Sequence, residues 1–127
     1  GTIMGVSKFL RTKKPNIKVI AVQPSEGHDV PGLRNLSQLD VSKLFDRALV
    51  DDILEIDYEL AYRRALELCR AEGLLAGPSS GLILEGALQI IARDRVGCGV
   101  MIFPDNIFKY VSSMVKHLPE LASGTEA

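Results

Sequence analysis

Apolar residues recur along this chain with two different periods. Ile3, Val6, Phe9 and Leu10 follow Thr2 at helical spacing, and Thr2 is a favourable N-cap. Lys13 and Lys14 suit the last turn of that helix, and Pro15 stops it. Ile17 to Val22 (IKVIAV) is a β-branched run of the kind buried in parallel sheets. Pro24 to Gly32 (PSEGHDVPG) is turn-rich and reads as the loop at the end of that strand. Leu33 to Leu49 is weakly patterned, with a short helix expected around Val41–Phe45. Asp51 to Ile56 predicts a second strand. Asp57 then caps a helix with Ala61, Ala65, Leu68 and Cys69 on one face, ended by Gly73. After the turn Gly77-Pro78-Ser79-Ser80-Gly81, residues Leu82, Leu84, Ala87, Leu88 and Ile91 continue as a mostly apolar helix. Gly99 to Phe103 (GVMIF) predicts a third buried strand, stopped by Pro104. Asn106 to His117 completes the pattern as an amphipathic helix.

Alternating helices and unalternated strands predict an α/β fold, a three-layer open sheet that is mainly parallel. One domain is expected over residues 1–117, with 118–127 as a flexible tail. Three strands make a thin sheet against the usual about four to six. The first helix also lacks a strand to feed it, so the pattern reads as a piece of something longer, with a strand expected before Gly1.

Composition narrows the function. The 127 residues are 46% hydrophobic and 24% charged with a net charge of −1, which excludes disorder as the main state. No window of about 18 residues is free of charge, so no membrane span is expected. Gly1 to Leu10 does not read as a secretory signal, and the expected location is cytoplasmic. Fifteen basic residues against sixteen acidic ones give no electrostatic footprint for nucleic acid. Cys69 and Cys98 are too few and too distant for a metal site or a disulfide framework, and are expected as reduced thiols in or near a core. His28 and His117 have no companions at metal-ligand spacing and are assigned to solvent, as is the Arg63-Arg64 pair.

Ligands of open α/β sheets bind beyond the carboxyl ends of the strands. Four segments should gather there: Gly1-Thr2, Pro24–Gly32, Gly77–Gly81 and Pro104–Asn106. Gly1-Thr2 opens a helix, and it is either a plain cap or an anion site made of free N–H groups and a favourable dipole. Gly77–Gly81 allows a sharp turn and close backbone approach. Its two hydroxyls either cap the helix or face a ligand.

These segments resemble the C-terminal part of the pyridoxal-phosphate enzymes of the cysteine synthase and cystathionine β-synthase family, over about residues 1–116. Gly1-Thr2-Ile3-Met4-Gly5-Val6 resembles the end of the family's GTGGT-type phosphate loop. Lys18 to Pro24 resembles the next strand, and Gly27 with Val30-Pro31-Gly32-Leu33-Arg34 resembles a "G…IPGIRR" segment of the B-type synthases. Leu49-Val50-Asp51 resembles "LVDE". Glu72 to Gly81 resembles "EEGLLVGPSSG", and Phe103-Pro104-Asp105 with Lys109-Tyr110 resembles "PDxxxxY".

The resemblance implies a tryptophan synthase β-like fold of type II and pyridoxal 5′-phosphate as the cofactor of the complete enzyme. Ser79 matches the serine that bonds the cofactor's pyridine nitrogen, a neutral partner that favours β-elimination and replacement. Gly1 and Thr2 match the last residues of the phosphate cup, and Gly77 the point where the backbone passes the ring. Pro104 and Asp105 match the corner beside that serine. The implied reaction is replacement of the β-substituent of O-acetylserine or O-phosphoserine by sulfide. The family's Schiff-base lysine, in a "P…GSxKDR" segment, matches none of the seven lysines here, and the "TSGNTG"-type substrate loop is absent too. The chain alone is therefore expected to be inactive, to hold no catalytic residue and to bind no cofactor by itself. Leu82 and Ile83 replace small residues of the family, and Asn106 to Lys109 replace its Ser-Gly-Glu-Arg. Two alternatives stand beside the synthase reading: part of a cystathionine β-synthase, or a stand-alone non-catalytic binding or assembly module. Either form would leave apolar surface to cover, so self-association, or pairing with a separate N-terminal half, is expected.

Overall fold

The computed structural model describes residues 1–38 and 45–123. Helix α1 (Thr2–Lys13) is followed by strand β1 (Ile20–Pro24), strand β2 (Asp52–Ile56), helix α2 (Tyr58–Glu72), helix α3 (Pro78–Asp94) and helix α4 (Val111–His117). Short 3₁₀ turns at Leu36–Gln38, Arg47–Leu49, Ile107–Tyr110 and Pro119–Leu121 join them. The helix expected around Val41–Phe45 falls outside the described residues, except for Phe45.

β1 and β2 form a parallel pair with Ile20 opposite Asp52 and Pro24 opposite Ile56. The chain is thus α/β with a parallel sheet, as the pattern predicts, but the sheet has two strands among the described residues rather than three. Gly99–Phe103 is not a strand, and Val100 is 89% exposed. β-branched residues favour the extended form, but a strand exists only with a hydrogen-bonded neighbour, and no described segment supplies one.

Three apolar clusters hold the elements. Met4 of α1 packs with Ala21 and Val50. Ile56, Ala61 and Leu82 join β2, α2 and α3. Val30, Tyr62, Ala65, Met114 and Leu118 join the loop after β1 to α2 and the C-terminal segment. Leu118, placed by the pattern at the start of a tail, is fully buried there. The packed region therefore runs beyond residue 117, because an apolar side chain directly after α4 reaches the core.

Local rules explain most boundaries. The Asp57 side chain accepts from Glu59 N–H at the start of α2. Gly73 ends that helix in the left-handed conformation (φ 68°), which glycine adopts without the Cβ penalty. The N-cap of α1 is Gly1, not Thr2. Helix α3 starts at Pro78, so both serines of the expected turn already lie in its first turn, with proline at the position where a missing N–H costs nothing.

Candidate functional site

The loop leaving the carboxyl end of β1 is tied shut at its base. The buried Asn35 amide donates to the Pro24 carbonyl (2.9 Å) and to Glu55 Oε2 (3.1 Å), and Leu36 N–H donates to Gln23 Oε1 (2.8 Å). Its tip is fastened to the C-terminal segment. Lys116 Nζ donates to Asp29 Oδ2 at 2.6 Å, His117 Nε2 lies 3.0 Å from the same oxygen, and the Tyr62 hydroxyl donates to the Asp29 carbonyl. The His117 ring stacks on Tyr62 with centroids 4.3 Å apart. His117 is therefore not a solvent residue: its side chain is 11% exposed, because the ring covers a core tyrosine. His28 is half-buried too, with Nδ1 accepting from Val30 N–H.

The second part of the site is the corner where α3 begins. Gly77 N–H donates to the Asp105 carbonyl (3.2 Å), and Ile107 N–H donates to the Leu75 carbonyl (2.9 Å). Ala76 and Asn106 form an antiparallel bridge between these bonds. The segment after Pro104 thus lies along the approach to α3, which places Ser79, Gly77 and Asp105 in one corner. Ser79 is buried in the first turn of α3. The Tyr110 hydroxyl donates to Asp105 Oδ2, and this bond, with some burial, raises the phenol above its ordinary value. Two side-chain atoms of the corner, Ser80 Oγ and Asp105 Oδ1, are buried without a hydrogen-bond partner.

Gly77 has a role the sequence does not display. A Cβ there would stand 2.6 Å from Asp105 Oδ1 and 3.0 Å from Tyr110 Cε2. The missing side chain makes room for these two groups of the same chain.

Gly1 and Thr2 are exposed at the start of α1. Among the described residues no hydrogen bond joins them to the Ser79 corner. What the two places share is an open helix end. Neither α1 nor α3 has a side chain accepting from its first-turn N–H groups, whereas α2 is capped by Asp57. An uncapped helix start with the dipole behind it suits an anion or a polar ring atom; in α3, where Pro78 has no N–H and Ser80 N–H donates to the Gly77 carbonyl, that leaves the N–H of Ser79.

Sequence reasoning also missed Arg64. Its Nε donates to Glu85 Oε2 at 2.5 Å and its Nη1 to Glu67 Oε2 at 2.5 Å, so it is an α2–α3 tie rather than a solvated residue. The i, i+3 spacing of Arg64 and Glu67 was legible, whereas Glu85 is brought in by the fold alone. Cys98 is exposed rather than near a core, and Cys69 is half-buried. The described residues hold no cluster of three or more His, Cys, Asp or Glu side chains fit for a metal, and no helix long and apolar enough to cross a membrane.

The α/β architecture with its parallel sheet is that of the fold type II pyridoxal-phosphate enzymes. The family model "Pyridoxal-phosphate dependent enzyme" matches residues 1–105, and the chain belongs to that family. It is homologous to cysteine synthase B, being 35% identical to that of Salmonella typhimurium over 115 residues, 91% of this chain and 38% of that protein. Among solved structures it is similar to O-acetyl serine sulfhydrylase isoform 3 from Entamoeba histolytica (TM-score 0.80, 26% identity, 91% of this chain and 37% of that one). It is also similar to an O-ureido-L-serine synthase (TM-score 0.78, 28% identity, 92% of this chain and 40% of that one). The chain spans about 38% of the length of the cysteine synthase B it matches.

Proposed function

We propose that this chain forms one wall of the cofactor pocket of a cysteine synthase, an enzyme that replaces the β-substituent of O-acetylserine or O-phosphoserine by sulfide. The observation that carries the reading is the hydrogen bond joining Gly77 to Asp105, two residues before the buried Ser79 in the uncapped first turn of α3. Pyridoxal phosphate fits the residues present: α1 and α3 both begin without a side-chain cap, and Ser80 Oγ and Asp105 Oδ1 beside the start of α3 are buried without a hydrogen-bond partner.

In this reading the N–H groups at Gly1 and Thr2, with the Thr2 hydroxyl, bind the phosphate, which the α1 dipole favours. The Ser79 hydroxyl bonds the pyridine nitrogen, and as a neutral group it leaves that nitrogen largely unprotonated. Gly77, Pro104 and Asp105 shape the wall beside it. The bound cofactor supplies the electron sink for breaking and making the bond at the substrate's β-carbon. None of the chain's seven lysines lies in the family's "P…GSxKDR" surround, so the chain by itself holds no covalent cofactor and forms no cysteine.

The test is the visible spectrum of the purified chain with pyridoxal phosphate, before and after borohydride. The expected result is no stoichiometric band that borohydride fixes to the protein, and no cysteine from O-acetylserine and sulfide. A stoichiometric fixed band would show that one of these lysines reaches the cofactor, and the one-wall reading would fall.

A further inference from the structure

Tyr110 belongs to a sequence pattern whose function the pocket reading does not use, and the structure gives it a place. Its hydroxyl is committed to Asp105 Oδ2, and its ring edge fills the space left by the missing side chain of Gly77. Tyr110 also packs against the cluster of Val30, Tyr62, Ala65, Met114 and Leu118. Asp105 in turn holds Gly77 through its backbone carbonyl, and the Gly77 carbonyl accepts from Ser80 N–H (3.0 Å) and Gly81 N–H (3.2 Å). A continuous chain of contacts therefore runs from the C-terminal core through one phenol to the first turn of α3.

We infer that Tyr110 is a positioning residue that acts through Asp105 to fix the start of α3 and, with it, the direction of the Ser79 hydroxyl. Its significance for cofactor binding rests on the pocket reading, whereas the positioning itself does not. Three features support it. The phenol is the one described donor to the Asp105 carboxylate, whose Oδ1 has no partner at all. The space a Cβ on Gly77 would enter is already taken by Asp105 Oδ1 and the Tyr110 ring edge. No side chain caps α3, so its start is held through the backbone of Gly77.

The test is amide hydrogen exchange on the 127-residue chain, which involves no cofactor. In Tyr110→Phe the ring stays and only the hydroxyl goes. Exchange at Gly77, Ser80 and Gly81 should rise about tenfold, while amides in the middle of α2 keep their rates. Asp105→Ala should give the same local rise, and Asp105→Asn, whose amide oxygen can still accept from the phenol, should restore most of the protection. Because Tyr110 acts through Asp105, the double variant should be no looser than Asp105→Ala alone. Tyrosinate absorption reports the bond directly: the phenol lost in Tyr110→Phe is one that ionises late, and in Asp105→Asn that phenol should ionise earlier. Unchanged exchange at Gly77 to Gly81 in Tyr110→Phe, or additive losses in the double variant, would overturn the inference. Should Tyr110→Phe loosen the whole fold, the Asp105→Ala and Asp105→Asn pair decides alone. The pocket reading fails only by the borohydride experiment, so the two failures stay apart.

Discussion

Gly81 of α3 lies against the backbone of Ala61 in α2. A Cβ on Gly81 would stand 1.9 Å from the Ala61 carbonyl oxygen and 2.8 Å from Ala65 N. Both neighbours are backbone atoms of a buried helix turn, so neither can rotate away. Gly81→Ala must push α3 off α2 and open the joint made by Ala61, Leu82 and Ile56. Alanine is the better helix former by roughly 1 kcal/mol, yet overpacking of this kind costs about 1–3 kcal/mol or more. A 1.9 Å approach to a backbone oxygen puts the cost at the upper end, so the expected result is a net loss of about 2 kcal/mol in urea unfolding. A Gly81→Ala variant as stable as the parent would show that the helices are not this close.

The same two helices are tied by charge. Glu85 is buried on α3, and its carboxylate accepts from Arg64 Nε and from Gln89 Nε2 (3.0 Å). The Arg64 bond is the main reason that Glu85 is held below the ordinary glutamate range. A carboxyl depressed by folding stabilises the fold above its unfolded value, and that contribution is lost as pH falls through the folded value. Stability of the chain should therefore decline on acidification below the ordinary glutamate range. Glu85→Gln should be less stable at neutral pH by about 1.5–3 kcal/mol, the size of a hydrogen bond to a charged group. It should also show a shallower acid limb. Thermal melts from pH 7 to pH 3 check both, and parallel curves for the two proteins would contradict the argument.

Much of this arrangement was legible in the residues, and the limits have physical causes. α2 was readable because its signals are local: Asp57 caps one end and Gly73 the other, with Ala61, Ala65 and Leu68 on one face. The strand pair was readable because β-branched runs are buried on both faces in parallel sheets. Gly99–Phe103 misled for the reason that makes strands non-local, since its residues favour the extended form without specifying a neighbour. His117 misled likewise. A histidine after a lysine at a helix end looks solvated, and only the fold brings Tyr62 and Asp29 to it. The turn that holds Ser79 was legible as a helix start, whereas the bond between Tyr110 and Asp105 could be seen only as a spacing of five.

The C-terminal clasp offers a separate test. Asp29 is held below the ordinary aspartate range first by its bond from Lys116 and next by that from His117. Its contribution to the clasp is thus present above that range and fades as pH falls through the folded value. His117 contributes its ring as well, stacked on Tyr62 and edge-on to Tyr58 with centroids 5.6 Å apart. His117→Ala should cost about 0.5–1.5 kcal/mol for the lost ring contact. It should also speed amide exchange in α4 and at Val30 while β2 is unaffected. Uniform change across all of these amides would mean that the clasp has no local identity.

The exposed apolar residues at the end of α3 and in the segment after it predict how the chain behaves in concentrated solution. Leu88 and Ile91 of α3 are exposed, as are Val96, Val100, Met101 and Ile102 in the segment that follows. Residues 98–103 are outside any strand, so their backbone groups are open to an added one. The chain should therefore self-associate, with a light-scattering mass above the monomer that rises with concentration. Val100→Lys with Ile102→Lys places two charges on that segment and should return the mass to the monomer without lowering the melting temperature, since Val100 is 89% exposed. A parent chain that stays monomeric at hundreds of micromolar would show that this surface is tolerated in water. Self-association unchanged by the two lysines would place the contact elsewhere.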